Sequence, residues 1–131
     1  EDGTLPNDVK IGNWSKPWNV KGDRGVGGYL SGELWAIDPK GFDQIGCVYT
    51  AQGFEYDWNA VIFGPDLVWR SGIWVAERSG SKDPAMRGIS PEHFETLVKN
   101  TYKVLLTRGL VGTLIFSVDE ETQQYFKSLF N

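Results

Sequence analysis

The residues whose types and spacing could do chemistry fall in two short stretches. The first is Tyr49-Thr50-Ala51-Gln52-Gly53-Phe54-Glu55-Tyr56-Asp57, where polar side chains gather around a glycine turn between two apolar runs. In a parallel sheet, ligands sit at the carboxyl ends of strands. Thr50, Gln52, Glu55 and Asp57 would converge at such an end. A hydrogen-bonded turn with a helix cap accounts for the same residues without a ligand. The second stretch, Asn100–Gly109, ends a helical pattern with Arg108. A cation there complements the helix dipole, worth ~0.3–1 kcal/mol. The planar guanidinium fork equally suits the terminal phosphate of a nucleotide. On the residues alone both readings stay open.

Other chemistry is excluded by type or spacing. The glycine-rich stretch Gly22–Gly32 is not followed by the Gly-Lys-Ser/Thr of a phosphate loop. Gly25-Val26-Gly27 lacks the third glycine of a dinucleotide fingerprint, and no strand precedes it. There is no nucleophile elbow, no HExxH pair and no EF-hand loop. The one histidine, His93, stands on the polar side of a helix start and reads as a solvated surface residue. The one cysteine, Cys47, excludes an internal disulfide framework and a cysteine-rich zinc site. No metal site is expected in this chain.

The elements that must position these residues begin poorly defined. Residues Asn7–Gly32 are mostly turn formers, with at most a short strand at Val9–Ile11. So long a loop is uncommon inside a compact domain, which leaves open a functional role or packing against something outside the chain. Leu34-Trp35-Ala36-Ile37 is a short apolar run, strand or helix, stopped by Asp38-Pro39-Lys40-Gly41. Ile45–Thr50 and Ala60–Gly64 read as strands. The unbroken apolar run of the latter indicates burial on both faces, as in a parallel sheet. Leu67–Val75 reads as a strand pair. Glu77–Ser90 reads as a surface loop, the segment most prone to disorder, whose Arg78, Lys82 and Arg87 could add weak contacts to a nucleic-acid backbone.

Ser90 as N-cap and Pro91 at the first helical position open the clearest helix. Phe94, Leu97, Val98, Thr101, Tyr102, Leu105 and Leu106 form its apolar stripe, and Gly109 suits the C′ position. Gly112–Val118 reads as a third buried strand and Glu120–Leu129 as a terminal helix. Strands alternating with amphipathic helices predict an α/β layer with a mainly parallel sheet.

Composition bounds the rest. The 131 residues predict one domain, with an irregular Gly/Trp-rich segment at 1–33 and a core at 34–131 that carries an insertion at about 65–90. A net charge of −4 argues against an autonomous binder of duplex nucleic acid. With 40% hydrophobic and 23% charged residues, the chain is ordinarily globular rather than disordered. No apolar run approaches the ~18 residues of a membrane span. Glu1-Asp2-Gly3 shows no signal peptide, so a cytoplasmic location is expected. The six tryptophans, Trp14, Trp18, Trp35, Trp58, Trp69 and Trp74, either fill a core or form an exposed stacking platform for sugar or peptide.

Together the two chemical stretches resemble motifs V and VI of superfamily 1 helicases, in that order. Thr50–Asp57 looks like the Gln/Lys-Gly-x-Glu-aromatic core of motif V. Tyr102–Gly109 looks like the Tyr-x-x-x-Thr-Arg core of motif VI, with one extra residue between the Tyr and the Thr. With Trp35-Ala36-Ile37-Asp38-Pro39, Gly46-Cys47, Gly64-Pro65-Asp66-Leu67 and Asn100–Gly109, residues 16–130 are similar to a bacterial family of Schlafen-like DNA/RNA helicases, largely catalogued as a domain of unknown function.

The resemblance implies a RecA-like P-loop NTPase-type fold, the second motor domain of a longer protein. It implies ATP and Mg²⁺ bound between two domains. The N-terminal RecA-like domain of the same protein would supply the phosphate-loop lysine and the Mg²⁺-binding acid. This chain would supply Arg108 as the arginine finger, with Gly53 and Glu55 at the nucleotide. Thr50, Gln52 and Thr107 would couple nucleotide state to single-stranded DNA or RNA. Tyr49 stands where relatives commonly carry His, and its ring would stack on a base. Alone, the chain is expected to hold no cofactor and to leave ATP intact. Two alternatives remain: a non-enzymatic Trp-rich binding module, and a scaffold derived from a helicase fold. The motor reading expects buried tryptophans and an exposed Arg108 and Glu55 on one face. The binding module expects several exposed, coplanar tryptophans.

Overall fold

The computed structural model describes residues 3–130. The chain divides into two compact units, Glu1–Phe54 and Glu55–Asn131.

The first unit is built mostly from turns. Strand β1 (Val9–Ile11) pairs antiparallel with β2 (Trp14–Lys16), so the irregular segment holds a hairpin rather than a single short strand. A second tight hairpin joins Val26 to Tyr29 through two backbone hydrogen bonds, with Gly27 and Gly28 both at positive φ. Two such residues form the turn whose twist matches that of a hairpin. Gln44 gathers the surrounding loops. Its buried amide accepts from Val20 N and donates to Leu30 O, tying two loop segments to its own backbone. The run Leu34–Ile37 is neither a strand nor an extended helix but a turn, closed by bonds from Ile37 N and Asp38 N to Leu34 O. Asp38 then caps a 3-10 turn over Pro39–Asp43.

The expected strand at Ile45–Thr50 is absent. Its second half is a one-turn helix, α1 (Val48–Ala51). The cause is local: Thr50 Oγ1 accepts from Cys47 N at 3.0 Å, the reciprocal half of a capping box. A capped backbone competes successfully with the β-branched character of Val48 and Thr50. Gly53, at φ +89°, then takes the left-handed position past the helix end.

The second unit carries the layered structure. Strand β3 (Tyr56–Phe63) runs parallel to β6 (Gly109–Ser117), with Tyr56 opposite Gly109 and Phe63 opposite Ser117. Between them lie the antiparallel hairpin β4 (Leu67–Arg70) and β5 (Ile73–Ala76), then helix α2 (Pro91–Leu106). Helix α3 (Glu120–Ser128) follows β6. Among the described residues the fold is therefore mixed α/β with one parallel pair and two antiparallel pairs, not a mainly parallel sheet.

The core of this unit joins Val61 and Phe63 of β3, Leu67 of β4, Phe94, Val98 and Tyr102 of α2, and Phe126 of α3. Phe63 stacks on Tyr102 with ring centroids 4.1 Å apart. Only one face of the parallel pair is covered in this way. On the other, Trp58 and Leu114 are 66% and 65% exposed. The continuous apolar runs thus do not report burial on both faces. Gly109 is not a left-handed cap but the first residue of β6, where a Cβ would meet Gly112 O at 2.3 Å.

Glu77–Ser90, expected to be the segment most prone to disorder, contains 3-10 turns at Arg78–Gly80 and Pro84–Met86. Arg78 holds them, donating to Met86 O and Ile89 O while its guanidinium lies 4.8 Å from the Phe94 ring centroid.

Candidate functional site

Helix α2 begins and ends on specific partners. Ser90 Oγ accepts from His93 N, and His93 Nδ1 lies 3.1 Å from the same oxygen, so this exposed histidine takes part in the cap. A helix leaves its last four carbonyls without partners inside the helix. Here all four are met. Thr107 Oγ1 donates to Lys103 O and Val104 O, each at 3.0 Å. Asn59 Nδ2, from β3, donates to Leu105 O at 2.7 Å, and Thr113 Oγ1, from β6, donates to Leu106 O at 3.1 Å. The helix end is thereby fastened to both strands of the parallel pair.

Arg108 sits on this clamp. Its Nε donates to Val104 O at 3.1 Å and its Nη2 to Thr107 Oγ1 at 3.2 Å. Its carbonyl accepts from Tyr56 N at 2.8 Å, which joins it to the first residue of β3. Glu55 immediately precedes Tyr56 and is exposed. Arg108 and Glu55 therefore each stand one residue before a strand of the parallel pair, at its amino end, where Tyr56 lies opposite Gly109. Arg108 is half-buried rather than fully exposed. Burial raises the Tyr56 hydroxyl pKa above its ordinary value, and the Arg108 charge pulls it back down.

The carboxyl end of the β3–β6 pair carries other residues. Gly64 N donates to Tyr102 Oη at 2.8 Å, and that hydroxyl donates to Asp66 Oδ1 at 2.6 Å. Burial holds the Asp66 carboxyl above the usual carboxylate range, against the lowering effect of the Tyr102 bond. Beside it, Arg70 makes a two-pronged contact with Asp119, at 2.6 and 2.8 Å, and Asp119 caps α3 through Thr122 N. These bonds push the Asp119 carboxyl well below the usual range, Arg70 contributing most. They organise the fold rather than present chemistry.

The remaining singled-out residues, apart from Asp57, belong to the first unit, on and beside α1. Tyr49 is 66% exposed. Gln52 is the exposed C-cap and Gly53 comes directly after it. Thr50 is half-buried, its hydroxyl shared among Cys47 N, Cys47 O and Asn19 Oδ1. Asp57 is exposed on β3 in the second unit. Among the described residues, no group of three His, Cys, Asp or Glu side chains is placed to hold a metal ion. Among them, too, no helix is long and apolar enough to cross a membrane.

Asn59 and Thr113 escape sequence reasoning. Thr113 interrupts an apolar run and Asn59 directly precedes one, and those polar positions beside apolar runs are the signal that could have marked them. The tryptophans fit neither expectation. None of the six is buried. Trp69 and Trp74 meet edge-to-face, at 71° between planes, inside a cluster with Tyr125 and Phe126.

The second unit is thus a small α/β assembly whose parallel strands share an amino end bearing an arginine and a glutamate. The chain belongs to the Schlafen group 3 DNA/RNA helicase domain family, whose profile matches residues 1–119. It is also 24% identical over 98 residues to YPL245W, an uncharacterized protein of Saccharomyces cerevisiae, covering 69% of this chain. The chain spans 22% of that relative's length. No solved structure matches.

Proposed function

We propose that this chain is the second, RecA-like motor half of an ATP-dependent, nucleic-acid-stimulated helicase or NTPase, with Arg108 as its arginine finger. The observation that carries the reading is the clamp beneath Arg108. A finger must come from a stiff element, and the α2 end is held by side chains from both neighbouring strands. Membership of a helicase-domain family supports the same assignment.

The residues present fit half of a nucleotide site. Arg108 offers a cation for the γ-phosphate, and the exposed Glu55 offers a carboxylate for the ribose hydroxyls. The phosphate loop and the metal-binding acid are assigned to the N-terminal RecA-like domain of the longer protein. ATP, when bound, would supply the phosphoanhydride whose hydrolysis couples domain closure to movement along single-stranded DNA or RNA. Arg108 would leave Val104 O and Thr107 Oγ1 to reach it. Its departure leaves the Val104 carbonyl still bonded to Thr107 Oγ1, so the helix end stays capped. Tyr49, Thr50 and Gln52 are assigned to coupling with single-stranded DNA or RNA, and Gly53 to the nucleotide.

The test is ATP turnover by the longer protein, with and without single-stranded DNA or RNA. Arg108→Ala is expected to lower turnover by about 10³-fold or more while ATP binding persists. Arg108→Lys is expected to restore little, because a point charge does not reproduce the fork. Normal turnover in Arg108→Ala overturns the finger and leaves Arg108 as a helix-end cation.

A further inference from the structure

The β3–β6 pair of the second unit has one face without a covering layer. Its register sets Trp58 opposite Gly112, Ala60 opposite Leu114 and Ile62 opposite Phe116. Side chains alternate across a strand, so these positions share the face turned away from Val61 and Phe63 of the core. Trp58 and Leu114 are two-thirds exposed, Phe116 is 36% exposed, and Ala60 also reaches solvent. No side chain in this strip is charged. The strip is also flat. A Cβ at Gly112 would fall 2.6 Å from the Trp58 ring, so the indole crosses onto β6 and fills the place of the missing side chain.

Flatness, charge and area together select the occupant. A flat apolar sheet face packs on another such face about 10 Å away, with strands inclined by about 30°. A second copy of this chain brings an identical face, and a two-fold axis sets the strip against itself. Each copy carries a net charge of −4, so copies repel one another except where an uncharged strip meets its like. A large aromatic side chain carries roughly 150–250 Å², so at these exposures the strip offers on the order of 400 Å² of apolar surface per copy. Two strips, bordered by the exposed Leu110 and Val111, bring on the order of 1,000 Å² into contact, the size of a weak, reversible pair rather than of an obligate dimer. A pair of that size comes apart on dilution and leaves the strip open in the single chain.

We propose that the open face of the β3–β6 pair is where two copies of this chain associate reversibly, strip against strip, with Ala60 and Leu114 nearest the two-fold axis. The contact uses no residue of the proposed finger, so it stands or falls separately from the motor reading.

The experiment is sedimentation equilibrium of the 131-residue chain over a range of concentrations. The expected result is a doubling of the mass, half complete between about 10 µM and 1 mM for a contact of this size. In a mixture of isotope-labelled and unlabelled chains, NMR contacts between copies are expected among Trp58, Leu114 and Phe116. Leu114→Lys is expected to weaken pairing at least about tenfold, because it sets two ammonium groups close to the axis. Ala60→Glu tests the same centre at an exposed position without removing a large side chain. It is expected to weaken pairing similarly, with an unchanged circular dichroism spectrum. A single chain at every concentration overturns the proposal and leaves the face to another occupant, such as a helix of the longer protein. Pairing that persists in both variants, or contacts between copies that avoid the strip, overturns it too.

Discussion

Arg108 satisfies a helix end in the structure and is assigned a phosphate in the proposal, and both rest on one geometry. Its place at the end of a helix was legible from the apolar stripe and the residues after it. Its half-burial was not, because its β3 partner Tyr56 lies far away in sequence. Thr50 shows the opposite difficulty. Polar residues around a glycine turn looked like a converging site, but its hydroxyl is occupied by the α1 cap. Gly53 belongs to the same cap. Gly53→Ala should cost about 1–2 kcal/mol, since L-residues are strained in the left-handed region. Chemical denaturation would measure it. Tyr102→Phe should cost about 1–3 kcal/mol, because it strips a hydroxyl from both Gly64 N and half-buried Asp66. It should also move the Asp66 titration further upward, measurable by carboxyl NMR, since the Tyr102 bond lowers that pKa.

At the scale of elements, helix ends were the most legible features. Ser90 and Pro91 marked the start of α2 correctly, because capping is decided within four residues. The strand expected at Ile45–Thr50 failed for the same reason, since its cap is equally local but begins at a cysteine, an unusual N-cap. The far end of α2 depends on Asn59 and Thr113, whose partners are set by tertiary structure. Asn59→Ala should therefore destabilise the second unit by about 1–3 kcal/mol, leaving Leu105 O without its side-chain donor. If Asn59→Ala leaves unfolding unchanged, the clamp does not hold the helix.

The start of α3 adds a pH signature. Asp119 titrates below its unfolded value, so its stabilisation is complete above the ordinary carboxylate range near 4 and fades as the pH falls through it. Asp66 has the opposite sign. Its raised pKa gives stability at low pH that is lost as the carboxyl ionises. Asp119→Ala should cost about 1–2 kcal/mol at pH 7, and the difference from wild type should close towards pH 2 in denaturation curves. A constant difference would mean that the carboxylate contributes no charge-dependent bond.

For the whole molecule, unbroken apolar runs led to the expectation of a doubly covered parallel sheet. Among the described residues there is one parallel pair, and its second face is open. Runs of apolar residues report what a strand can bury, not what is present to cover it. Leu114→Lys should accordingly change stability by no more than about 0.5 kcal/mol, because its side chain is 65% exposed. Light scattering should show less self-association in the variant, since it breaks up an exposed apolar patch. A larger loss of stability would mean that this face is covered in solution.

The parallel pairing of β3 and β6 also orders events in time. Asn59 and Leu105 are 46 positions apart, whereas the hairpin and the α2 turns close over a few residues. Closing a long loop carries an entropic penalty that nearby contacts do not. The hairpin and helix should therefore form before the strands dock, and Arg108 should meet Tyr56 only at that last step. Pulse-labelling hydrogen exchange would show late protection of the Tyr56 amide, which donates to Arg108 O. Protection of that amide before the α2 amides would reverse the order.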